Sequence, residues 1–120
     1  MKKIAIFEDA INNKVQDLKA EGINPTAFWA YRKSIEAENE LIDFSEVVWE
    51  SDIEEIAKTF KANGIFSFTI SSNFSGLITT LAEFQKHGFQ MAGLTEVNAT
   101  YVDFFTGKRE KLPAIRLINI

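Results

Sequence analysis

The chain has 120 residues, of which 46% are hydrophobic and 25% are charged, a composition typical of one globular domain. Its formal net charge of −4 argues against broad contact with nucleic acid, which needs an excess of lysine and arginine to displace phosphate counterions. Because the sequence contains no cysteine, disulfides, thiolate nucleophiles and cysteine-ligated metal sites are excluded. The eleven phenylalanines predict a core rich in aromatic side chains.

The N-terminus lacks the apolar run of a secretory signal. After two lysines, the apolar run Ile4–Phe7 stops at Glu8, whereas a signal needs about 7–15 apolar residues. No segment approaches the roughly 20 apolar residues of a membrane span. Since small secreted domains often depend on disulfides, we expect a cytoplasmic location and no membrane partner.

The first predicted element is a helix. Apolar residues from Phe7 to Leu18 recur every three or four positions, which predicts a helix that Gly22 ends as its C-terminal cap. A short strand over Lys3–Phe7 is the alternative for the start of this segment.

A second helix is predicted to begin at Asn24, a good N-cap, with Pro25 at the first helical position, where proline is favoured. Glutamates crowd its end, where the helix dipole disfavours negative charge, so we expect it to stop near Asn39. The next segment, LIDFSEVVW, leaves two interpretations open. It is either a short strand at Leu41–Phe44 or a helical lead-in capped by Ser45.

A third helix is marked at its start by Ser51 and Glu54, which match the capping-box spacing. An apolar stripe from Ile53 to Phe60 follows. Asn63–Gly64 is predicted to end this helix.

Strand, helix and strand then follow one another closely. Alternating apolar residues predict a strand over Ile65–Ile70, a helical stripe predicts a helix over Phe74–His87, and Phe89–Val97 is again strand-like. Connections this short make a βαβ crossover, so we expect the two strands to lie side by side and parallel.

The C-terminal residues predict an antiparallel hairpin. Tyr101–Phe105 and Leu112–Ile120 are rich in β-forming residues, and the intervening TGKREK offers Gly107 for the turn. Because Pro113 lacks a backbone donor, we expect it at a strand start or on an edge.

These elements together predict an α/β fold for a single domain over residues 1–120. We expect a small mixed sheet of three to five strands with a parallel βαβ core, a C-terminal antiparallel hairpin, and N-terminal helices packed on it. In this scheme residues 1–40 are the helical N-terminal part and residues 41–120 are the α/β core.

The strand-to-helix turn SSNFSG is the best candidate ligand site. Ligands of open α/β sheets bind at the carboxyl ends of strands, and a helix N-terminus offers free N–H groups to anions. The candidate binding residues are Ser71, Ser72, Asn73, Ser75 and Gly76. The alternative is ordinary helix capping by the serines and the asparagine. Neither glycine-rich phosphate-loop pattern is present, so a nucleotide phosphate loop is not supported.

A polar cluster follows the second strand of the crossover and comprises Glu96, Asn98, Tyr101 and Asp103. At the carboxyl end of that strand, Glu96 and Asn98 would join the serine turn in one ligand pocket. The alternative is that these residues belong to an edge strand and a turn and bind nothing.

The cluster Lys108, Arg109 and Lys111 is the one candidate for contact with nucleic acid, and Glu110 dilutes its charge. His87 is the only histidine. With no second histidine and no cysteine, we expect no metal site, no catalytic residue and no cofactor.

Trp29 and Trp49 lie in the N-terminal half, where the pattern determines the structure least. Exposed tryptophans would mark an interface. We expect both to be buried.

Four segments, LIDFSEVVW, FTISSNFSGLITTLAEF, HGFQMAGLTEVNATYVDFFTG and PAIRL, carry a resemblance to a family. From about Leu41 onward, the chain resembles a family of small uncharacterised proteins of Firmicutes that often lie near mobile elements. The resemblance implies a cytoplasmic bacterial accessory protein and carries no catalytic residue across.

The same region resembles, at the level of fold alone, the last third of a class I methyltransferase domain. In that fold a final antiparallel strand inserts between the last two parallel strands. The glycine-rich first turn that holds the methyl donor in that family is missing here, so the resemblance implies no methyl-donor binding.

The leading functional hypothesis is a non-enzymatic protein-binding or regulatory module, because no catalytic, metal or nucleotide signature stands out and the aromatic residues can anchor a protein contact. The first alternative is a small-molecule-binding, anion-binding or enzymatic domain that uses the turn Ser71–Gly76. The second is nucleic-acid contact in a mobile-element process through the basic cluster. A homo-oligomer is compatible with each.

Overall fold

The computed structural model describes residues 1–120 and contains four helices and four strands. In chain order these are α1 (Ala5–Asn12), α2 (Pro25–Glu36), β1 (Asp43–Phe44), α3 (Ile53–Ala62), β2 (Ser67–Ile70), α4 (Leu77–Lys86), β3 (Phe89–Val102) and β4 (Arg109–Asn119). Short 3-10 turns lie at Lys19–Glu21 and Glu50–Asp52. None of the helices has the length and apolar character needed to cross a membrane.

The strands form one mixed sheet in the order β1-β2-β4-β3. β1 and β2 are parallel and α3 connects them, so the parallel βαβ unit is β1–α3–β2. β4 is antiparallel to both of its neighbours. The predicted α/β class, with a mixed sheet and a C-terminal antiparallel hairpin, is therefore confirmed.

The prediction that the strands on either side of the Phe74–His87 helix are neighbours is wrong. β2 and β3 run in the same direction, but β4 lies between them. A short turn joins β3 to β4 and makes them pair, and the other edge of β4 then receives β2, with Leu117 opposite Phe68 and Ile115 opposite Ile70.

The predicted aromatic core lies on one face of the sheet, between the strands and the helices α3 and α4. Phe68 on β2 is at its centre, with its ring centroid 4.9–5.5 Å from those of four neighbouring phenylalanines. Those neighbours are Phe44 on β1, Phe60 on α3, Phe84 on α4 and Phe89 on β3, and at most 2% of any of these five side chains is exposed. This cluster fixes α3 and α4 on the sheet, since aromatic side chains bury large areas in specific geometries.

The N-terminal helices α1 and α2 pack on each other through a second aromatic group. The ring centroids of Phe7 and Tyr31 lie 4.9 Å apart, and Phe28 meets Phe7 edge-on at 6.2 Å. The Tyr31 hydroxyl donates a hydrogen bond to Glu8 at 2.8 Å. One continuous cluster of 20 buried residues joins this group to the core on the sheet.

The first helix is shorter than its apolar stripe predicts. α1 ends at Asn12 because the backbone turns at Lys14, which has a left-handed φ of 50°. Gly22 has a φ of 74°, yet it ends the 3-10 turn at Lys19–Glu21 instead of the first helix. The alternative of a strand at Lys3–Phe7 is also wrong, since α1 begins at Ala5.

The ends of the other helices are predicted with mixed success. The Asn24 side chain accepts a hydrogen bond from the Ala27 N–H at 3.0 Å, as expected of an N-cap before Pro25. The capping box at Ser51 and Glu54 is absent, because Ser51 lies inside a 3-10 turn and α3 has no side-chain cap. Of the two interpretations of LIDFSEVVW, the short strand is confirmed as β1.

The predicted strand Phe89–Val97 and the first two residues of the predicted strand Tyr101–Phe105 belong to one strand, β3, which bulges between Met91 and Leu94 and between Asn98 and Val102. The prediction is wrong for residues 103–105, which lie in the hairpin turn. The hairpin turn follows β3, and Gly107 there has the predicted left-handed φ of 68°. Pro113 lies in β4 opposite Glu96, where β4 has β3 on one side and β2 does not reach, so its missing donor is tolerated.

Candidate functional site

A buried carboxylate marks the carboxyl end of the parallel strands β1 and β2. Asp43 is 4% exposed, and its side chain accepts hydrogen bonds from the hydroxyls of Thr69 at 2.7 Å and Ser71 at 2.6 Å. Its backbone N–H donates to the Ser34 hydroxyl on α2 at 2.8 Å. Burial raises the pKa of the Asp43 carboxyl, and the hydrogen bonds from Ser71 and Thr69 oppose that rise. These bonds tie β1, β2 and α2 together.

The serine turn is fastened to the segment after β1 and does not cap α4. The Ser72 hydroxyl donates to the Glu46 carbonyl at 2.9 Å, while Asn73 and Ser75 are exposed. Gly76 occupies the N-cap position of α4, where no side chain accepts a hydrogen bond. The turn lines none of the five best-defined cavities. The alternative that its serines and asparagine cap α4 is wrong, and the ligand site at this turn stays a prediction.

Glu96 and Asn98 lie apart from the serine turn. The Asn98 N–H donates to the Asn39 side chain at 2.7 Å, and the Asn39 side chain donates to the Asn98 carbonyl at 3.1 Å. Glu96 and Asn98 line a polar cavity of about 500 Å³ together with Lys111 and Arg116, and no residue of the serine turn lines it. The single pocket expected from the sequence is thus two separate surfaces.

Two half-exposed tryptophans border a cleft between α2 and the segment that follows β1. Trp29 is 51% exposed and Trp49 is 66% exposed, so the expectation that both are buried is wrong. The cleft encloses about 310 Å³. Besides the tryptophans it is lined by Pro25, Thr26, Ala30 and Lys33 from α2 and by Phe44, Ser45, Glu46 and Val47 from the other wall. We call this feature the Trp29–Trp49 cleft.

Charged side chains surround the Trp29–Trp49 cleft. Lys33 forms an ion pair with Glu46 across it. Thr26 donates a hydrogen bond to Asp52 at 3.2 Å, which joins the N-terminal end of α2 to the turn before α3. Residues 45–57, which include one wall of the cleft, contain five acids and no base. Of these acids only Glu46 lines the cleft itself, and the others lie on the turn and the helix beside it.

The tip of the β3–β4 hairpin exposes two phenylalanines on a braced turn. Phe104 is 93% exposed and Phe105 is 94% exposed. The Asp103 side chain accepts hydrogen bonds from the N–H groups of Phe105 at 2.8 Å and Thr106 at 3.0 Å, and these bonds lower the pKa of its carboxyl. The Asp103 carbonyl accepts from Gly107 at 2.9 Å. The prediction that the phenylalanines pack in the core is therefore wrong for Phe104 and Phe105.

The basic cluster lies on the hairpin next to these phenylalanines. Lys108 is exposed in the turn. The Arg109 guanidinium donates to the Ala99 carbonyl at 3.3 Å, and the Lys111 ammonium donates to the Asn98 side chain at 2.5 Å. Two of the three bases are thus hydrogen-bonded to β3, which leaves Lys108 as the base whose charge is most open to a partner.

The Trp29–Trp49 cleft and the hairpin belong to different parts of the sheet. The cleft follows the carboxyl end of β1, an edge strand, whereas the hairpin is made of β4 and the other edge strand, β3. The hairpin bends back from the sheet, since Asn98 is hydrogen-bonded to Asn39 and to the Ala37 carbonyl, which precede β1.

The sequence does not indicate Asp43, Asn39 or the cleft as features of a site. Asp43 begins a strand of only two residues, and its partner Ser71 is 28 residues away, so no local pattern pairs them. The sequence does carry a signal for the cleft. Trp29 lies beside the apolar stripe of α2 and not within it, and Trp49 stands immediately before a segment rich in acids.

Comparison with known proteins gives one match. A family model described as a domain of unknown function, DUF7698, matches residues 26–119, which include the cleft and the hairpin. No curated protein and no solved structure matches the chain. No three or more histidine, aspartate or glutamate side chains are grouped so that they could hold a metal ion.

Proposed function

The chain belongs to the DUF7698 family of unknown function, and we propose that it is a non-enzymatic protein-binding module whose contact element is the β3–β4 hairpin. One observation carries the proposal: Phe104 and Phe105 are more than nine-tenths exposed on a turn that hydrogen bonds hold in place. Single exposed apolar residues are ordinary, but adjacent phenylalanines at a projecting tip are not.

The surroundings of the tip enlarge the apolar surface. Tyr101 and Val102 at the end of β3 are about half exposed, at 53% and 50%. Aromatic side chains supply much of the binding energy in protein interfaces when a partner buries them. Because Asp103 already fixes the turn, little conformational entropy is lost when the tip binds.

The chemistry of the hairpin indicates its partner. The phenylalanines call for an apolar cleft, and the adjacent Lys108, Arg109 and Lys111 favour a cleft with an acidic rim. We infer that this contact forms in the cytoplasm of a bacterium, as the resemblance to a Firmicutes family implies.

Two other functions have less support. Exposed aromatic residues beside bases also suit single-stranded nucleic acid, but two of the three bases are hydrogen-bonded within the chain and the net charge is −4. A small-molecule site at Ser71–Gly76 has less support because two of its three serines, Ser71 and Ser72, are hydrogen-bonded to Asp43 and Glu46.

The test compares capture from extracts of the native host by three forms of the tagged full-length chain. These are the wild type, the double variant Phe104→Ser/Phe105→Ser, and the control Ile78→Ser, which alters an exposed side chain on α4 that is 82% exposed. We expect the wild type and the control to retain host proteins. The host's own copy of this chain counts as one of these proteins. Quantitative mass spectrometry should show them lost from the double variant.

Two results would overturn the proposal. Capture of the same proteins by all three forms would show that the hairpin is not the contact element. Capture that nuclease treatment abolishes would show that the tip binds nucleic acid. Circular dichroism of each variant establishes that it is folded before the comparison is made.

A further inference from the structure

We propose that this chain binds a second copy of itself, and that each copy inserts its hairpin tip into the Trp29–Trp49 cleft of the other to form a two-fold symmetric dimer. The inference rests on the proposed function, because the same hairpin is the contact element. It adds the identity of the partner and of the surface that receives the tip.

The apolar parts of the two surfaces match. The tip offers two almost fully exposed phenylalanines, and the cleft offers two half-exposed tryptophans and the partly exposed Val47 around about 310 Å³. Aromatic rings prefer offset and edge-to-face contacts with one another, which a phenylalanine between two indoles can make. Insertion would remove from water the most exposed aromatic side chains of both surfaces.

The charges of the two surfaces are complementary. Residues 104–112, which form the tip and the start of β4, contain three bases and one acid, and Lys108 is the base whose charge is most open. Residues 45–57, at the cleft wall and the start of α3, contain five acids and no base, and two of these acids, Glu46 and Glu54, are paired with lysines outside the segment. Charges of opposite sign at the rim of an interface speed association and fix its orientation. A basic hairpin beside the remaining acids is therefore favoured over hairpin on hairpin.

The contact joins two different surfaces of the chain, so a single contact between two copies leaves one tip and one cleft unused. In the two-fold dimer that we propose, each copy gives its tip and receives the tip of the other, so the contact is made twice. Such an arrangement leaves no tip free to extend a chain of copies.

Self-association of this kind has a consequence for any other partner. A tip that lies in the cleft of a second copy is unavailable to another protein, so dimerisation and binding of that protein compete. The dimer would keep Phe104 and Phe105 out of water, and another partner could bind the hairpin only after the dimer dissociates.

The test measures the association state of the purified full-length chain by analytical ultracentrifugation, from low micromolar to submillimolar concentration. The wild type and the control Ile78→Ser should show a monomer–dimer equilibrium. Phe104→Ser/Phe105→Ser and Trp49→Ala should each raise the dissociation constant at least ~tenfold, as loss of a buried aromatic anchor does.

Mixing the two variants gives the sharpest result. The tip variant keeps its cleft and the cleft variant keeps its tip, so a mixture restores one of the two contacts. We expect the mixture to form a heterodimer that is weaker than the wild-type dimer but stronger than either variant with itself. Raising the salt concentration should weaken all of these, because exposed charges are screened beyond about 10 Å at 0.1 M.

Tryptophan fluorescence gives an independent readout, since the chain has only two tryptophans and both line the cleft. Emission of the wild type should shift to shorter wavelength as its concentration rises through the dimerisation range, because the indoles leave water. The tip variant, whose tryptophans are unchanged, should show no shift.

Three results would overturn the inference: a wild type that stays monomeric throughout the concentration range, a dimer that both variants leave intact, or a mixture no more associated than its components. A wild type that stays monomeric but captures other host proteins through Phe104 and Phe105 would leave the proposed function standing. A wild type that stays monomeric and that captures no host protein through Phe104 and Phe105 would overturn both the dimer and the proposed function.

Discussion

At the scale of single residues, Asp43 is the one charged residue that the fold buries. Its carboxylate is buried beside β2, and the hydroxyls of Thr69 and Ser71 supply its hydrogen bonds. Those donors compensate only in part for the water that the carboxylate loses, because the pKa of the group remains raised. The folded state therefore holds the Asp43 proton more tightly than the unfolded chain does.

This pKa shift predicts a pH dependence of stability with a definite sign. Because the folded state binds more protons at Asp43, the free energy of unfolding should fall as pH rises from the ordinary aspartate value of about 4 through the raised pKa, and then level off. Asp43→Asn removes this titration. Urea unfolding of both proteins across acidic to neutral pH should show their stability difference changing in that window. A difference that stays constant with pH would contradict the prediction.

At the scale of elements, the sequence predicts the presence of a helix or strand better than it predicts the residues at which that element ends. The stripe from Ile53 to Phe60 and the signature Asn24–Pro25 predict α3 and α2, because apolar period and proline chemistry act locally. The end of α1 is not predictable from its stripe, since the chain leaves the helix at a lysine with positive φ. The long β3 is also not predictable as one strand, because it depends on Asn39, far away in the chain, to hold Asn98.

The Asn39 contact predicts which part of the hairpin opens first. Asn39→Ala removes both hydrogen bonds to the Asn98 backbone, so we expect a loss of about 1–3 kcal/mol in the free energy of unfolding. Amides of residues 97–112 should exchange faster by hydrogen-exchange mass spectrometry, while those of β2 should not. Asn73→Ala, at an exposed asparagine of the serine turn, is the matched control and should change neither. Equal exchange in all three proteins would contradict this role for Asn39.

At the scale of the whole molecule, the strand order is what local sequence cannot supply. The pattern between residues 65 and 97 predicts correctly that β2 and β3 run in the same direction. Their separation by β4 depends on pairings such as Phe68 with Leu117, which lie far apart in the chain. For the same reason the candidate surfaces were only partly predictable: the basic cluster could be found, but the phenylalanine tip and the tryptophan cleft depend on which aromatic residues the fold leaves outside.

The central position of β4 predicts unequal effects of the same substitution at two leucines. Leu117 on β4 is fully buried, whereas Leu94 on the edge strand β3 is 79% exposed. Leu117→Ala should lower the free energy of unfolding by about 2–5 kcal/mol because it leaves a cavity between the strands and the helices. Leu94→Ala should change it by less than about 0.5 kcal/mol. Urea denaturation of the two variants measures both values, and similar losses would mean that β4 is not the central strand.

The paired hydrogen bonds between Asn39 and Asn98 also restrict how the protein can meet its neighbours. The edge strand β3 has fourteen residues and a single charge. Such an edge is a template on which other chains can add strands and aggregate. Here the Asn39 side chain makes, at Asn98 of β3, the two hydrogen bonds that the backbone of an added strand would make. Growth of the sheet by addition of a strand to β3 is thereby interrupted at Asn98.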